Sequence, residues 1–305
     1  MRTLFSALGL GVWGRRFLGV RLGRLYQYPP QPLTIGRLPK IGDDHDLPLI
    51  SLVTPSFNQA QFVKQTLESV VDQKYPNLEY VVQDAKSSDG TEVVLKDYAA
   101  KGVDIHIEAD RGQADALNLG FARTSGEIMG YLNSDDLLLP GTSHFVGRYF
   151  RDNPSVDVIY GNRLIINESG FEIGRWILPG HDSQVLRFVD YVPQESMFWR
   201  RRIWDRVGAS FDANLQFAMD WDLILRFLDA GAVFHHVPEL FGVFRAHGNQ
   251  KSQANFFARG AKEMAGLRSR HGGERLSRFR RTVLHWGYLS GHRQADAAFK
   301  AGLLN

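Results

Sequence analysis

The stretch LPLISLVTPSFN, from Leu47 to Asn58, predicts the fold through the apolar run that it contains. Its aliphatic and β-branched residues are typical of a buried strand, and the run ends in the turn-forming residues Thr54, Pro55 and Ser56. A helix is expected next. Asn58 with Gln61 resembles the start of a capping box, and apolar residues recur at helical spacing as far as Tyr75.

Strand and helix patterns alternate through the following segments. Strands are predicted at LEYVVQDA, VDIHIEAD and EIMGYLNSDD, and helices at TEVVLKDYAAKG and GQADALNLGFARTSG. Beyond Pro154, two β-rich runs around the turn NESG predict a hairpin. The alternation predicts an α/β fold with a mostly parallel, doubly wound sheet and helices on both faces.

Polar clusters follow four of the predicted strands. They are Thr54 to Ser56, Asp84 to Gly90, Asp110 to Gln113, and Asn133 to Asp136. Ligands of such sheets bind at the carboxyl ends of the strands, so these clusters predict one ligand site. Asp135 and Asp136 suit a hard divalent cation such as Mg²⁺ or Mn²⁺, or they start a turn or cap a helix near Gly141, and both interpretations remain open.

Composition and charge exclude some classes of function. The 305 residues are 44% hydrophobic, which is enough for a full core, and there is no cysteine to form a disulfide or a thiolate metal site. Seven Arg/Lys and no acid precede Asp43, and eleven Arg/Lys but three acids lie from Lys251 onward, so the acidic core has basic ends. Basic ends indicate an anionic membrane surface, nucleic acid or only a solvated face.

The apolar and basic start, LFSALGLGVWGRRFLGVRLGRLY, is too short in its uncharged part to span a bilayer. It predicts either peripheral membrane contact or an arm packed on the domain. A nucleotidyltransferase would need a glycine-rich loop after the first strand, and an NAD-dependent oxidoreductase would need G-x-G-x-x-G there; TPSFNQAQF contains neither. Nucleic-acid binding is suggested only by ERLSRFRRTVLHW, whereas the core is acidic, so no nucleic-acid partner is expected.

Five motifs in order, LVTPSFN, VVQDAKSSDGT, DRGQADALNLG, YLNSDD and AMDWDL, resemble those of the family 2 glycosyltransferases. These enzymes have the GT-A fold and use nucleotide sugars. The resemblance covers about Pro48 to Ser252 and implies inverting transfer of a sugar to a hydroxyl acceptor.

The resemblance also implies a nucleotide site. The base and ribose, most commonly uridine, would contact Thr54, Pro55, Ser56, Asp84, Asp89, Arg111 and Gln113, with Asn133 and Ser134 completing the site. For Asp84 and Asp89, ordinary turn chemistry is the alternative. Asn133 departs from the family's Asp-x-Asp pattern and loses a charge, which puts strong metal binding in doubt.

The metal, Mn²⁺ or Mg²⁺, would bind Asp135, with Asp136 second and His247 from a mobile loop after the last strand. Asp220 matches the catalytic base, although Met219 replaces the usual glutamate, and Asp222 is the reserve. The alternative for both is favourable interaction with the helix dipole. Weaker implied contacts to the diphosphate or the acceptor are Arg245, Lys251, Gln194, Glu195 and Trp221, and Trp199, Trp204 and Trp221 form a sugar platform or pack in the core.

We therefore expect a metal-dependent glycosyltransferase of cell-surface polysaccharide or lipid-linked glycan synthesis, cytoplasmic at the inner face of the cell membrane. The alternative is a non-catalytic nucleotide-sugar or glycan-binding relic. The expected organisation is a basic arm and linker (1–46), a catalytic domain (47–253) and a basic helical extension (254–305). Within the catalytic domain, 47–140 would bind nucleotide and 141–253 acceptor. The sequence specifies neither the sugar, the acceptor nor the oligomeric state.

Overall fold

The computed structural model describes residues 21–34, 38, 43–248 and 259–303, which contain a nine-stranded sheet with helices on both faces. The strands are β1 (Ile50–Ser56), β2 (Leu78–Asp84), β3 (Asp104–Ile107), β4 (Ile128–Tyr131), β5 (Leu137–Leu138), β6 (Val158–Asn167), β7 (Glu172–Trp176), β8 (Met197–Arg200) and β9 (Phe234–Ala246). Their order in the sheet is β3-β2-β1-β4-β8-β6-β9-β5, and β7 pairs with β6.

Helices connect most of these strands. They are α1 (Val63–Val71), α2 (Thr91–Ala99), α3 (Gln113–Phe121), α4 (Thr142–Asp152), α5 (Ser183–Leu186), α6 (Arg201–Arg206), α7 (Met219–Asp229), α8 (Ala261–Arg270) and α9 (Arg278–Lys300). A 3-10 turn, Gln194–Ser196, leads directly into β8.

Strand β1 lies inside a parallel unit formed with β2, β3 and β4. It is buried along its whole length, and Leu52 and Val53 enter different hydrophobic clusters on opposite sides of the sheet. Helix α3 packs on the Val53 side so closely that a Cβ on Gly120 would stand 2.5 Å from Val53. Leu67 of α1 packs on the other side. The predicted doubly wound α/β fold is confirmed.

The second half of the sheet is mixed in direction. Strand β8 runs antiparallel to β4 and β6, and β9 runs parallel to β6. Strands β6 and β7 form the predicted hairpin, whose turn contains Gly170 at φ +84°. The antiparallel strand β8 thus joins the nucleotide-binding half expected from the sequence to the remainder of one continuous sheet.

Two boundaries differ from the expectation. Helix α1 begins at Val63 rather than Asn58, because Asn58 adopts φ +51° and its side chain accepts a hydrogen bond from the Ser88 N–H at 2.9 Å. Asn58 therefore joins two loops instead of capping a helix. Strand β9 continues to Ala246, so FRAHGNQKSQ begins inside a strand, and its residues from 249 onward lie outside the described ranges.

The described part of the N-terminal arm packs on the sheet. The Gln27 N–H donates to the Ile173 carbonyl of β7 at 2.8 Å, and the Leu22 N–H donates to His292 Nε2 of α9 at 3.1 Å. The packed-arm interpretation therefore holds from residue 21, while residues 1–20 lie outside the described ranges. Within the described ranges, no helix is both long and apolar enough to cross a membrane.

Candidate active site

The ends of β1 and β2 bring buried polar side chains side by side. Ser56 pairs in register with Asp84, whose buried carboxylate accepts hydrogen bonds from the Ser87 N–H at 2.8 Å and hydroxyl at 2.7 Å. Carboxylate oxygens have further lone pairs, so Asp84 can still accept a ligand N–H. The Ser56 hydroxyl is buried without a hydrogen-bond partner among the described residues. A buried polar group of this kind is a candidate contact for a bound ligand.

The other two residues of this motif differ from the expectation. Thr54 is fully buried, and its hydroxyl hydrogen-bonds to the Tyr80 hydroxyl at 3.0 Å within the sheet. Pro55 is also buried. The side chain of Thr54 is therefore turned into the core, and only Ser56 of the three presents an uncommitted polar group.

Asp89 holds the loop after β2. Its carboxylate accepts hydrogen bonds from the Ala60 N–H at 2.9 Å and the Thr91 N–H at 3.0 Å. Burial works against ionisation, but the hydrogen bonds from Thr91 and Ala60 outweigh it and lower the pKa of Asp89. The turn-chemistry alternative accounts for these contacts, because Asp89 joins the loop to the start of α2.

The loop before α3 directs its two candidate residues, Arg111 and Gln113, to different surroundings. Arg111 is exposed, and its guanidinium pairs with Asp115 at 2.6 Å. Gln113 instead faces the end of β4 and donates to Asn133 Oδ1 at 2.6 Å. Gly112 between them has φ +116°, which an L side chain rarely adopts.

Hydrogen bonds to both ends of the Asn133 amide fix its side chain. It accepts from Gln113, and its Nδ2 donates to Gln194 Oε1 at 2.9 Å and to Asp136 Oδ2 at 3.2 Å. Gln194 in turn donates to the Tyr131 carbonyl at 2.7 Å. An aspartate at 133 would set a carboxylate against two acceptors, which explains the departure from Asp-x-Asp. Ser134, next in the chain, is buried.

Asp135 and His247 form the pair most suited to a metal ion. His247 Nε2 lies 2.9 Å from Asp135 Oδ2, and the Asp135 side chain is the more exposed of the two, at 16% against 4%. Within the described ranges, no group of three or more His, Cys, Asp or Glu could hold a metal. A carboxylate and an imidazole still fit Mn²⁺ or Mg²⁺, because these ions keep waters and take substrate phosphate oxygens as further ligands.

Asp136 and Arg245 face inward, which differs from the roles expected for them. Asp136 is 1% exposed and accepts the Arg245 N–H at 3.0 Å. Burial, followed by the charges of Asp135 and Glu195, raises the pKa of Asp136 well above its ordinary value. The Arg245 guanidinium is also buried and donates to the Asp135 carbonyl at 2.9 Å and to Gln65 Oε1 at 2.6 Å. Both residues support Asp135, while Lys251 lies outside the described ranges.

Asp220 lies in the first turn of α7, which the C-terminal extension holds in position. The Glu263 carboxylate of α8 accepts three backbone N–H groups, from Gln216, Phe217 and Ala218, at 2.9 to 3.1 Å. A carboxylate at a helix N-terminus satisfies unpaired amides and interacts favourably with the helix dipole. Glu263 therefore fixes the start of the helix that carries Asp220.

A group of charged residues surrounds Asp220. Burial raises its pKa, and the Trp221 N–H, which donates to Asp220 Oδ1 at 2.8 Å, and the charge of Arg163 oppose this. Asp190 is half-buried nearby; burial and then the charge of Asp220 raise its pKa well above its ordinary value. Perturbed carboxyl groups of this kind are typical of functional sites.

Arg163 provides the positive charge in this group. Its guanidinium makes a two-pronged ion pair with the buried Glu195, with 2.6 Å from Nε to Oε1. Trp176 and Phe244 flank it at 4.5 and 4.7 Å from the ring centres. Glu195, which was expected to contact a sugar, is thus occupied by Arg163, and the 3-10 turn positions the site rather than lining it.

Asp222 and the tryptophans also differ from their expected roles. Asp222 is 1% exposed and accepts from Arg226 Nε at 2.8 Å, so it is a structural partner and not a free reserve base. Trp199, Trp204 and Trp221 are buried, and Trp221 Nε1 donates to the Leu186 carbonyl at 3.0 Å. The core-packing alternative holds for these rings.

Sequence reasoning missed Asp190, Arg163 and Glu263. Each acts on residues 30 or more positions away, as the hydrogen bonds of Arg163 to Glu195 and of Ala218 to Glu263 show. No local motif marks such contacts. The one available signal was the isolated acid of FVDYV, an ionisable residue between apolar neighbours.

Comparison with known proteins identifies relatives of the chain. The sequence pattern of the family described as Glycosyl transferase family 2 matches residues 51–215. The O-antigen biosynthesis protein RfbC of Myxococcus xanthus is 30% identical over 200 residues, covering 63% of this chain and 15% of that protein. Two further curated relatives are matched over 36% and 37% of their lengths, so the chain spans well under two thirds of these proteins.

Two solved structures share the fold. Mannosyltransferase PcManGT from Pyrobaculum calidifontis, in complex with GDP-Man and Mn²⁺, aligns with TM-score 0.60 and 19% identity over 98% of this chain and 85% of that chain. S. aureus TarS 1-349, in complex with UDP-GlcNAc, aligns with TM-score 0.56 and 16% identity over 68% and 61%. The fold is GT-A, as the sequence motifs implied.

Proposed function

Because the chain belongs to glycosyl transferase family 2, we propose that it transfers a sugar from a nucleotide sugar to an acceptor hydroxyl with inversion at the anomeric carbon. One observation carries this proposal. Ser56 and Asp84 end β1 and β2, and Asp135 follows the end of β4, which pairs in parallel with β1, so all three follow the carboxyl ends of neighbouring strands. Helix α7 supplies a separate carboxyl group, Asp220, with its own charged surroundings. Inverting transfer requires this division between donor groups and a base.

The donor in this proposal is a UDP-sugar. Asp84 would accept the ring N–H of uracil, and the Ser56 hydroxyl would find in the nucleotide the partner that it lacks among the described residues. The related folds bind UDP-GlcNAc in one protein and GDP-Man in another, so GDP is the competing nucleotide. Residues 47–140 would hold the nucleotide, and residues 141–253 would contact the acceptor.

Asp220 would act as the general base. A carboxylate that takes the proton from the acceptor hydroxyl strengthens its attack on the anomeric carbon. The raised pKa of Asp220 suits this role, because it brings the proton affinity of the carboxylate closer to neutral pH. Asp190, beside it, would hold the acceptor hydroxyl or a neighbouring one, and Arg163 would keep at least one of the two acids ionised.

In this proposal, Asp135 and His247 would hold a metal ion, Mn²⁺ or Mg²⁺. When bound, the ion supplies positive charge that stabilises the leaving diphosphate. Asp136 and Arg245 would keep Asp135 in position from behind.

The proposed acceptor is a growing cell-surface polysaccharide or a lipid-linked glycan, at the inner face of the cell membrane. The relative named for O-antigen biosynthesis supports this class of product. The basic residues of both chain ends support work beside an anionic surface.

The decisive experiment is calorimetric titration of UDP, GDP and dTDP into the full chain, with and without Mn²⁺. The variants are Asp135→Ala and Asp220→Asn, and the matched controls are Asp97→Ala and Asp97→Asn at an exposed acid of α2. We expect metal-dependent binding of UDP, loss of the metal effect in Asp135→Ala only, and unchanged affinity in Asp220→Asn.

Turnover then separates catalysis from binding. Asp220→Asn should lower the hydrolysis or transfer of the UDP-sugar by about 10²-fold or more, since a general base contributes about 10²- to 10⁴-fold. Binding without turnover in the wild type would support the relic alternative. If none of the three nucleotides binds, the donor site is refuted.

A further inference from the structure

The outward face of α9 combines exposed apolar side chains with arginines. Phe279 and Val283 lie four residues apart on one side of the helix and are 78% and 53% exposed, among the most exposed large hydrophobic residues of the described ranges. Trp286, one turn further along, is partly exposed. Positions i, i+4 and i+7 share one face of a helix, so the three form an apolar stripe.

Arginines border this stripe. Arg275, Arg278 and Arg280 are exposed around its first turn, and Arg293 is exposed further along the helix. Between residues 264 and 295 the chain contains seven arginines and a single acid, Glu274. An apolar stripe bordered by arginines is typical of helices that lie in the plane of a membrane interface.

The opposite face of α9 is fixed to the domain, which makes the stripe a rigid surface. His292 Nδ1 hydrogen-bonds to the Ile177 carbonyl at 2.6 Å, and the Tyr288 ring lies 4.5 Å from the Tyr191 ring. Tyr191 is the chain neighbour of Asp190. A helix is about 10 Å across, so the stripe stands roughly one helix diameter from the segment that carries Asp190.

The chain also arrives at α9 from its basic N-terminus. The Leu22 N–H donates to His292 Nε2 at 3.1 Å, and the Arg21 guanidinium lies 3.8 Å from the Asp296 carboxylate of α9. Each Lys or Arg near an anionic surface adds to the attraction, so the exposed arginines of α9 favour contact with such a surface.

We propose that the outward face of α9, defined by Phe279, Val283, Trp286, Arg278 and Arg280, docks on an anionic lipid bilayer. Phe279 and Val283 enter the headgroup boundary while the arginines contact lipid phosphates. Nucleic acid fits less well, because the core between residues 43 and 250 carries thirty acids against eighteen basic residues. The proposal deepens the proposed function, since docking there would set the acceptor side of the site beside lipid-linked substrates.

The test uses flotation of the full chain with vesicles of phosphatidylcholine, alone or with about a quarter of phosphatidylglycerol. The variants are Phe279→Ser/Val283→Ser and Arg278→Glu/Arg280→Glu. The matched controls lie on and just after α2: Val93→Ser removes an apolar residue that is 69% exposed, and Lys96→Glu/Lys101→Glu makes the same charge change elsewhere.

We expect the wild type and both controls to bind the anionic vesicles at least tenfold better than the neutral ones. Each α9 variant should lose at least tenfold in this binding, and higher salt should weaken the wild type. Nucleotide affinity should be equal in all five proteins, so loss of docking and loss of the donor site are distinguishable.

Four results would overturn the proposal. The first is that the wild type does not bind anionic vesicles, and the second is that the α9 variants bind them as well as the wild type, which would assign the contact to another segment. The third is that an oligonucleotide binds more tightly than the vesicles. The fourth is a wild-type dimer that the α9 variants convert to monomer without any change in lipid binding. Size-exclusion chromatography of the same proteins covers the last case.

Discussion

Replacement of Arg163 by Met should destabilise the protein severely. The guanidinium pairs with Glu195, whose side chain has no exposed surface, and Arg163 itself is 9% exposed. Its charge also opposes the raised pKa of Asp136, Asp190 and Asp220. Methionine fills a similar space between Trp176 and Phe244 but leaves Glu195 without its counter-charge.

The magnitude follows from the environment of the pair. Opposite unit charges about 4 Å apart attract by about 4 kcal/mol at an effective dielectric constant of about 20. Breaking a buried pair by removing one partner costs about 3 to 5 kcal/mol. With an unfolding entropy of about 2.1 cal/mol/K per residue, a chain of this length loses about 1.6 °C of Tm per kcal/mol, so Tm should fall by about 5 to 8 °C.

The assay is a double-mutant cycle followed by thermal unfolding. Arg163→Met/Glu195→Gln should recover at least half of the loss, because it removes the buried charge that the single change exposes. Glu195→Gln alone should cost less than Arg163→Met, since three other carboxyl groups remain near Arg163. The exposed i,i+4 pair of Lys96 and Glu92 is the control, and breaking it should cost about 0.5 kcal/mol or less.

Activity gives the same experiment a second readout. Without Arg163, the carboxyl groups of Asp190 and Asp220 lose the cation that opposes their protonation, so the acid limb of the pH–rate profile should move to higher pH. A Tm loss below about 1.5 °C, or a double variant no more stable than Arg163→Met, would refute the reasoning about this ion pair.

Three further predictions concern the C-terminal extension. Glu263→Ala should lower the free energy of unfolding by about 1 to 2 kcal/mol, as for a lost helix cap, and should lower kcat without changing the donor KM. Glu263→Gln should recover part of the stability and part of kcat. An unchanged kcat would count against a positioning role for Glu263. The Asp222 carboxylate, 3.8 Å from Nε2, and the Asp229 carboxylate, 2.6 Å from Nδ1, raise the pKa of His271, while burial opposes them. The stabilisation is therefore complete below the unfolded pKa of His271 and is lost as pH rises. His271→Gln should cost more free energy of unfolding near pH 6 than near pH 9, and the reverse order would contradict this. Burial lowers the pKa of His292, so the hydrogen bond that it accepts from Leu22 is present above the unfolded pKa and is lost as pH falls. His292→Gln should therefore cost more free energy of unfolding near pH 8 than near pH 5, measured by urea unfolding. Equal costs at the two pH values would contradict the assignment.

The strands of the nucleotide half could be predicted from the sequence because each is an apolar run closed by turn residues. The same local rules failed at Asn58, whose side chain bonds to Ser88, 30 positions away, in preference to capping α1. They also left Trp221 undecided between a sugar platform and the core, because an aromatic residue beside a candidate base has the same local pattern whether it lies in the core or at the surface; the structure buries it.

The candidate site divides in the same way, into residues that a local motif marks and residues that no local motif marks. Asp84, Asp135 and Asp220 could be named as candidates because each lies in a short motif at a strand end or helix start. Their supporting residues could not, since support here comes from other parts of the chain. Arg245 reaches the Asp135 carbonyl across 110 positions, and Glu263 reaches the start of α7 across 45 to 47.

The C-terminal extension therefore supports the helix that carries Asp220, a role that its basic composition alone does not indicate. Helix α8 holds the N-terminus of α7 through Glu263, and His271, directly after α8, joins Asp229 at the other end of α7 with 2.6 Å between Nδ1 and Oδ2. Helix α9 continues from this segment and presents the proposed bilayer face. The helix that carries the proposed base and the proposed docking surface are thus parts of one hydrogen-bonded unit. If both proposals hold, binding to the bilayer fixes the orientation of Asp220 relative to the lipid surface without any movement of the nucleotide half.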